Sequence, residues 1–168
     1  MINQRLFERY NINTSKDLGI QKICSRPFDT VLIDKMGSCY ACECTAWLPQ
    51  SIGNLQIRSL DEILNTEMRE HLQESVSDGT YRYCNENQCP FIRNLNRGWP
   101  KKGNDLKHIR LAIDDSCNLR CPSCRNSLIF HKEGSAYKLG IKLADRINEW
   151  LYKYKNPIKV HIGSDGDP

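Results

Sequence analysis

The chain has 168 residues, of which 39% are hydrophobic and 26% are charged, a composition that suits one small folded domain or two very small ones. Lysine and arginine number 24 against 20 aspartate and glutamate, and the resulting net charge of +4 is too weak to indicate a nucleic-acid partner. The aliphatic runs are short, as at 31–33, so we expect no transmembrane helix. The first residues do not resemble a secretory signal. The unusual feature is cysteine, which occurs nine times.

The cysteines fall into an early, a middle and a late group: Cys24, Cys39, Cys42 and Cys44; Cys84 and Cys89; Cys117, Cys121 and Cys124. An odd number of cysteines without a secretory signal favours a reducing compartment, where clustered thiols bind metal or carry out redox chemistry. We therefore expect a cytoplasmic, metal-binding protein without a membrane partner. A disulfide scaffold and inert buried thiols are the alternatives.

The first segment is predicted to form a β-hairpin followed by one amphipathic helix. Residues 28–33 are β-prone, residues 34–37 favour a tight turn, and residues 39–44 are expected to form the second strand. Residues 59–62 have the Ser-x-x-Glu pattern of a capping box, and 78–79 favour a helix end. Between them, apolar residues recur on one helical face, which we expect to be buried: Leu60, Ile63, Leu64, Met68, Leu72 and Val76.

The second segment follows a linker at 93–105, in which proline and glycine lie among basic residues. Residues 108–113 alternate as in a strand, residues 137–154 are amphipathic with helical spacing, and residues 158–162 alternate again. Pro157 separates the last two elements. Strand, helix and strand in this order predict a βαβ unit with a right-handed parallel crossover.

The late cysteines have C-x3-C-x2-C spacing and come soon after a predicted strand. A structural zinc site needs four ligands, usually supplied as C-x2-C pairs. This loop supplies three thiols, and His131 is the nearby candidate for a fourth ligand. Three thiolates suit a four-iron cluster that leaves one iron free for another ligand.

This loop resembles the hallmark of radical S-adenosylmethionine enzymes. The resemblance implies that Cys117, Cys121 and Cys124 hold a [4Fe–4S] cluster whose fourth iron binds S-adenosylmethionine. Reduction would then give a 5′-deoxyadenosyl radical that abstracts hydrogen from a substrate. In this interpretation no protein side chain is assigned as a catalytic residue.

A second segment, residues 163–168, resembles the Gly-Gly-Glu-Pro-like motif of the same family. Gly166, Asp167 and Pro168 match its last three positions, with aspartate in place of glutamate. The resemblance implies that these three residues bind S-adenosylmethionine. Taken alone, the segment is typical of an ordinary turn.

The early cysteines resemble the signature of the twitch and SPASM auxiliary domains, C-x9–15-G-x4-C, through Cys24, Gly37 and Cys42. Cys84 and Cys89 follow the predicted helix. The resemblance implies an auxiliary iron–sulfur cluster with four ligands: Cys24, Cys42, Cys84 and Cys89. Cys39 and Cys44 are surplus, although Cys44 could replace Cys42. A zinc ribbon on the same four thiols is the alternative.

Together these patterns predict an α+β hairpin–helix cluster domain of the twitch or SPASM kind over 20–92, a linker over 93–105, and the start of a radical S-adenosylmethionine domain over 106–168. That domain is expected to be the first strand, helix and second strand of an α/β partial TIM-type barrel. Because a full barrel takes about 250 residues, we expect the chain to be a truncated N-terminal part.

The expected function is radical S-adenosylmethionine chemistry on an unknown substrate, with a reductant of the flavodoxin or ferredoxin type. One alternative is a non-catalytic zinc module that binds protein or nucleic acid. Another is an inert fragment that still binds a cluster.

Overall fold

A computed structural model describes residues 24–45, 48, 50–85, 87–93, 105–117 and 127–163. These residues contain one five-stranded sheet with the order β3-β2-β1-β4-β5. The strands are β1 (Thr30–Asp34), β2 (Ser38–Tyr40), β3 (Gly53–Asn54), β4 (His108–Ala112) and β5 (Lys159–Ile162). The helices are α1 (Arg26–Asp29), α2 (Leu60–Leu64), α3 (Glu67–Ser77), α4 (Pro90–Arg93) and α5 (Gly134–Lys153). None of the helices within the described ranges is long and apolar enough to cross a membrane.

The predicted hairpin is confirmed, since β1 and β2 pair antiparallel with Leu32 opposite Tyr40. Asp34 fixes the turn, because its Oδ1 accepts hydrogen bonds from the backbone N–H groups of Met36 (2.9 Å) and Ser38 (2.8 Å). Gly37 has φ +76°, a left-handed conformation that glycine adopts without steric cost.

Both strands of the hairpin are shorter than predicted. Residues 28–29 belong to α1, because Pro27 stands in the first turn of a short helix. The second strand ends at Tyr40 instead of continuing to Cys44. Its partner β3 has only two residues, which pair with Ser38 and Cys39, so β3 provides no partner for residues beyond Tyr40. Cys42 and Cys44 therefore leave the sheet.

The predicted single helix consists of two helices, α2 and α3. The capping box at the start of α2 is confirmed, with the Ser59 hydroxyl and the Glu62 carboxylate each accepting the other's backbone N–H. Thr66 is extended, and its hydroxyl donates to the Ile63 carbonyl (2.9 Å), which competes with helix continuation. Gly79, at φ +79°, follows the end of α3 as predicted.

The βαβ unit is confirmed, because β4 and β5 are parallel and α5 connects them. β1 also pairs parallel with β4, with Thr30 opposite His108 and Asp34 opposite Ala112. The sheet therefore contains strands from both sequence segments. The boundaries of the two predicted domains stay a prediction.

The main core lies on one face of this sheet. Val31, Ile33, Ile109 and Leu111 point to that face and pack with residues of α2 and α5, among them Ile63, Leu143, Ile147 and Trp150. The two segments thus share one hydrophobic core. β5 differs from the other long strands, since all four of its residues are exposed although they were predicted to alternate.

Candidate metal centre

Five cysteines line a single cavity at the edge of the first segment: Cys24, Cys42, Cys44, Cys84 and Cys89. Apolar side chains complete its wall: Pro27, Leu48, Leu72, Val76, Tyr81 and Ile92. The structure thus brings together the four cysteines predicted as auxiliary ligands and adds Cys44. The seven cysteines that the structure describes are reduced thiols.

Local structure explains how distant parts of the chain reach this cavity. Cys24 lies before α1, and its backbone N–H donates to the Tyr81 hydroxyl (3.2 Å). The N–H of Cys84 donates to the Tyr81 carbonyl (2.8 Å), and the N–H of Cys89 donates to the Asn85 carbonyl (2.8 Å). Tyr81 is buried and has φ +47°, which is a costly conformation for a residue other than glycine. Tyr81 therefore positions two of the five thiols.

The thiols interact strongly with one another. A hydrogen bond to Cys42, and then one to Cys89, raises the pKa of Cys44, whereas the hydrogen bond from Cys44 lowers the pKa of Cys42. Burial raises the pKa of Cys24 to about 12, and it raises the pKa of Cys84 as well. Without a metal, Cys24, Cys44 and Cys84 thus favour the protonated thiol, whereas Cys42 is shifted toward the thiolate.

A bound metal centre reverses this preference, because metal ligation requires thiolates and releases their protons. Close groups of buried thiolates are stable only when a cation compensates their charge. The donor set therefore fits an iron–sulfur cluster or a zinc ion, both of which take all-thiolate ligands. The positive charge of Arg26 offsets a small part of the effect of burial on the pKa of Cys24, and it adds to the lowering of the pKa of Cys42 by the Cys44 hydrogen bond.

Cys39 lies apart from this cavity. It is fully buried in the main core, and its Sγ donates to the Gly37 carbonyl (3.6 Å). Burial, with a smaller contribution from Asp34, raises the pKa of Cys39 to about 12. The two surplus cysteines are thus distinguished by the fold. The sequence analysis predicts Cys44 as a possible replacement for Cys42, and the structure places both thiols in the cavity.

The late cysteine loop starts from a fixed anchor. Cys117 lies just beyond β4, and its backbone N–H donates to the Ile129 carbonyl (2.8 Å) in an isolated bridge. The backbone N–H of His131 donates to the Ser116 hydroxyl (3.0 Å). The two ends of the loop are therefore held together. Cys121 and Cys124 lie outside the described residues.

The second predicted motif begins beside this loop. The N–H of Gly163, which follows β5, donates to the Leu111 carbonyl in β4 (3.0 Å), and Gly163 has φ +94°. Carboxyl ends of parallel strands meet at one edge of a sheet. The chain therefore enters both motifs at the same edge. Gly166, Asp167 and Pro168 lie outside the described residues.

Asp115 connects this edge to the hairpin, a contact that the sequence analysis missed. Its carboxylate lies 2.6 Å from Lys35 Nζ and 2.7 Å from His131 Nε2. The hydrogen bond from Lys35, with a further one from His131, lowers the pKa of Asp115 despite its partial burial. Asp114, Asp115 and His131 bring their ligand atoms within 4.8 Å of one another. Lys35 already neutralises the carboxylate, so we interpret this group as an anchor for the loop.

A groove of about 620 Å³ runs between α5 and β5. Its wall is largely apolar and includes Tyr137, Ile141, Val160 and Ile162, all of which are exposed. Asp114, Asp115 and His131 line its polar end. The groove thus reaches the sheet edge at which the two motifs begin.

Comparison with known families matches residues 24–90 to the model of SPASM, an iron–sulfur cluster-binding domain. The matched range begins at Cys24 and includes all five cysteines of the cavity. This match supports iron–sulfur cluster binding by the first segment. No curated protein and no solved structure matches the chain.

Proposed function

We propose that this protein takes part in radical S-adenosylmethionine chemistry and carries an auxiliary iron–sulfur cluster in its first segment. The observation that carries the proposal is the convergence of five cysteines on one cavity within a segment that matches an iron–sulfur domain. SPASM domains are typical of radical S-adenosylmethionine proteins. The C-x3-C-x2-C loop supplies a second, separate set of thiols.

The catalytic cluster would be held by Cys117, Cys121 and Cys124. When bound, this cluster and S-adenosylmethionine would supply the one-electron chemistry that produces a 5′-deoxyadenosyl radical. The support for this site is local: the loop follows a strand of a parallel βαβ unit, and its ends are joined by the bridge between Cys117 and Ile129. Gly166, Asp167 and Pro168 are proposed to bind S-adenosylmethionine.

The protein's own residues would orient these groups and limit access of water. The Lys35–Asp115–His131 contacts hold the start of the loop against the hairpin turn. The auxiliary cluster would lie in the five-thiol cavity and would relay electrons or bind substrate. A reductant of the flavodoxin or ferredoxin type would supply the electron.

Zinc is the second candidate for the five-thiol cavity, because zinc also accepts all-thiolate ligand sets. A protein with zinc there and no iron would be a structural module that binds a protein or nucleic acid. The two functions differ in metal content and in redox activity.

The experiment is anaerobic purification followed by measurement of iron, sulfide and zinc per chain, and then incubation with dithionite and S-adenosylmethionine. We expect iron, sulfide and the formation of 5′-deoxyadenosine. Replacement of Cys121 by alanine should abolish the product, whereas replacement of the core residue Cys39 by alanine should preserve it. Zinc without iron would overturn the proposal, and iron without 5′-deoxyadenosine would restrict the function to cluster binding.

A further inference from the structure

The second face of the sheet carries a row of basic side chains. The register pairs His108 with Lys159 and Arg110 with His161, so all four side chains leave β4 and β5 on the same face. The intervening residue Ile109 packs in the main core on the other face. Lys159 and His161 are exposed, while His108 and Arg110 are half-buried. We call these four residues the basic row.

One carboxylate within the described residues bridges this row to the cysteine cavity. Glu43 Oε2 lies 3.3 Å from the guanidinium of Arg110, and Glu43 Oε1 lies 3.4 Å from the guanidinium of Arg26. Both distances are long for charge-assisted hydrogen bonds, which are typically below about 2.9 Å. Glu43 is therefore an internal counterion that two guanidinium groups share at long hydrogen-bond distances.

The row also contains polar atoms that the protein does not use. Arg110 Nε and His108 Nδ1 are shielded from solvent and have no hydrogen-bond partner among the described residues. Buried polar atoms normally have partners, so these two atoms are candidates for contact with a bound ligand. Rotation of the Arg110 guanidinium would give an incoming anion two parallel N–H donors.

The electrostatic environment of His108 agrees with this geometry. Burial lowers its pKa, and Arg26, Lys159 and His161 lower it further, while the buried carboxylate of Asp29 opposes them. The ring of His161 stacks on that of His108 with 6.2 Å between centroids. Three basic side chains thus lie around His108, opposed by the buried carboxylate of Asp29.

The position of the row relates it to both cysteine sites. Cys117 follows the carboxyl end of β4, whereas Cys24 and Cys42 lie near the amino end of β1, which runs parallel to β4. A five-residue strand spans roughly 16 Å, at about 3.3 Å per residue. The basic row therefore occupies the sheet between the five-thiol cavity and Cys117.

We propose that the basic row binds a carboxylate group of the substrate, with Arg110 as the principal contact and His108 Nδ1 as a further one, and that this carboxylate displaces Glu43. The substrate class is a small molecule or peptide with a free carboxylate. The role of the ligand as substrate rests on the proposed function, whereas the anion site rests on the geometry of the sheet alone.

The test is a calorimetric titration of the anaerobically purified protein with glutarate at constant ionic strength. Glutaramide, which has the same shape without charge, serves as the matched ligand control. We expect glutarate to bind and glutaramide not to bind. Arg110→Gln should weaken the binding of glutarate about tenfold, as expected for the loss of one charge-assisted contact. Lys142→Gln serves as the matched variant control. Lys142 is an exposed residue of α5, and α5 packs on the opposite face of the sheet, so the loss of this charge should leave the affinity for glutarate unchanged.

A variant that is expected to tighten binding distinguishes loss of the site from misfolding. Glu43→Gln removes the internal counterion and should tighten the binding of glutarate a few-fold, a gain that a damaged fold cannot produce. Three results would each overturn the proposal. The first is equal binding of glutarate and glutaramide, the second is equal weakening by Arg110→Gln and Lys142→Gln, and the third is weaker binding of glutarate by Glu43→Gln. Inorganic phosphate bound as tightly as glutarate would overturn the assignment of a carboxylate.

The two proposals fail in different measurements. Iron, sulfide and 5′-deoxyadenosine formation without glutarate binding would leave the proposed function standing and remove the carboxylate site. Glutarate binding that follows the variants as predicted, without formation of 5′-deoxyadenosine, would support the anion site and contradict the radical chemistry.

Discussion

The two cysteine sites of this chain are assembled in opposite ways. The late cysteines are neighbours in sequence, so three thiols share one loop before any folding is considered. The early and middle cysteines come from three separate stretches and converge only through the hairpin, α3 and the turn at Tyr81. The grouping of the late thiols thus depends on a local sequence motif, whereas the five-thiol cavity depends on the packing of the first segment.

Removal of a cavity thiol is expected to have the largest effect. Cys24→Ala should lower the iron content of the auxiliary cluster, because it removes one of the four predicted thiolate ligands. Cys39→Ala is the matched control, since Cys39 is equally buried but packs in the core away from the cavity. Iron and sulfide analysis of the purified variants measures the difference.

Cys44→Ala tests whether Cys44 is a ligand of the auxiliary cluster. Retention of the full iron content in Cys44→Ala, together with loss in Cys42→Ala, would assign Cys44 as a thiol next to the ligand set. Equal iron content in Cys24→Ala and Cys39→Ala would contradict the five-thiol site itself.

The next largest effect is expected from substitution of a core residue of the βαβ unit, compared with substitution of a residue in its edge strand β5. Ile109 is fully buried in β4, whereas Ile162 is 72% exposed in β5. Ile109→Ala should lower the free energy of unfolding by about 2–5 kcal/mol, and Ile162→Ala by less than about 0.5 kcal/mol. Urea denaturation checks both values. A large loss from Ile162→Ala would show that β5 is covered in solution.

The hairpin turn contacts the second segment through Gly37. A Cβ at this position would lie 2.9 Å from Leu143 Cδ2 of α5, and the φ of +76° disfavours any other residue. Gly37→Ala should therefore lower the unfolding free energy by more than the roughly 1–2 kcal/mol that the left-handed backbone alone costs. The matched control is Gly79→Ala, which has a similar φ of +79° but open space around its Cβ. Equal losses in the two variants would show that the contact with α5 contributes nothing.

The helix cap of α2 should give a smaller effect than the substitution of Gly37. Ser59→Ala should cost about 1 kcal/mol, because it leaves a helical N–H without its acceptor.

The backbone N–H of Ser59, followed by its hydroxyl, lowers the pKa of Glu62 below its usual value. The stability from Glu62 is thus present above its unfolded pKa and is lost as the pH falls through the lower folded value. Denaturation across this acidic range should show a flatter profile for Glu62→Gln, and an unchanged profile would refute the linkage.

Local features of the fold could be predicted from the sequence, while long-range pairings could not. The hairpin turn, the capping box at Ser59 and the strand–helix–strand order follow from residues that are close in the chain. The pairing of β1 with β4 joins residues that are about eighty positions apart, and no local periodicity encodes it. The break at Thr66 was missed because the apolar spacing continues through it while the backbone does not.

The candidate site shows the same division. The resemblance to the SPASM signature was sufficient to group Cys24, Cys42, Cys84 and Cys89, which line one cavity. Spacing could not separate Cys44 from Cys39, because their difference lies in where the chain turns after Tyr40. The contact between Lys35 and Asp115 also depends on the sheet, which brings the hairpin turn to the end of β4.

The most direct test of the central claim is metal analysis of a variant in which Cys117, Cys121 and Cys124 are all replaced by alanine. This variant keeps the five-thiol cavity as the remaining cysteine cluster, with Cys39 in the core. Anaerobic iron and sulfide assays combined with Mössbauer spectroscopy should detect an iron–sulfur cluster in it. Zinc in place of iron, or a protein without bound metal, would contradict the assignment of the first segment as the auxiliary cluster domain.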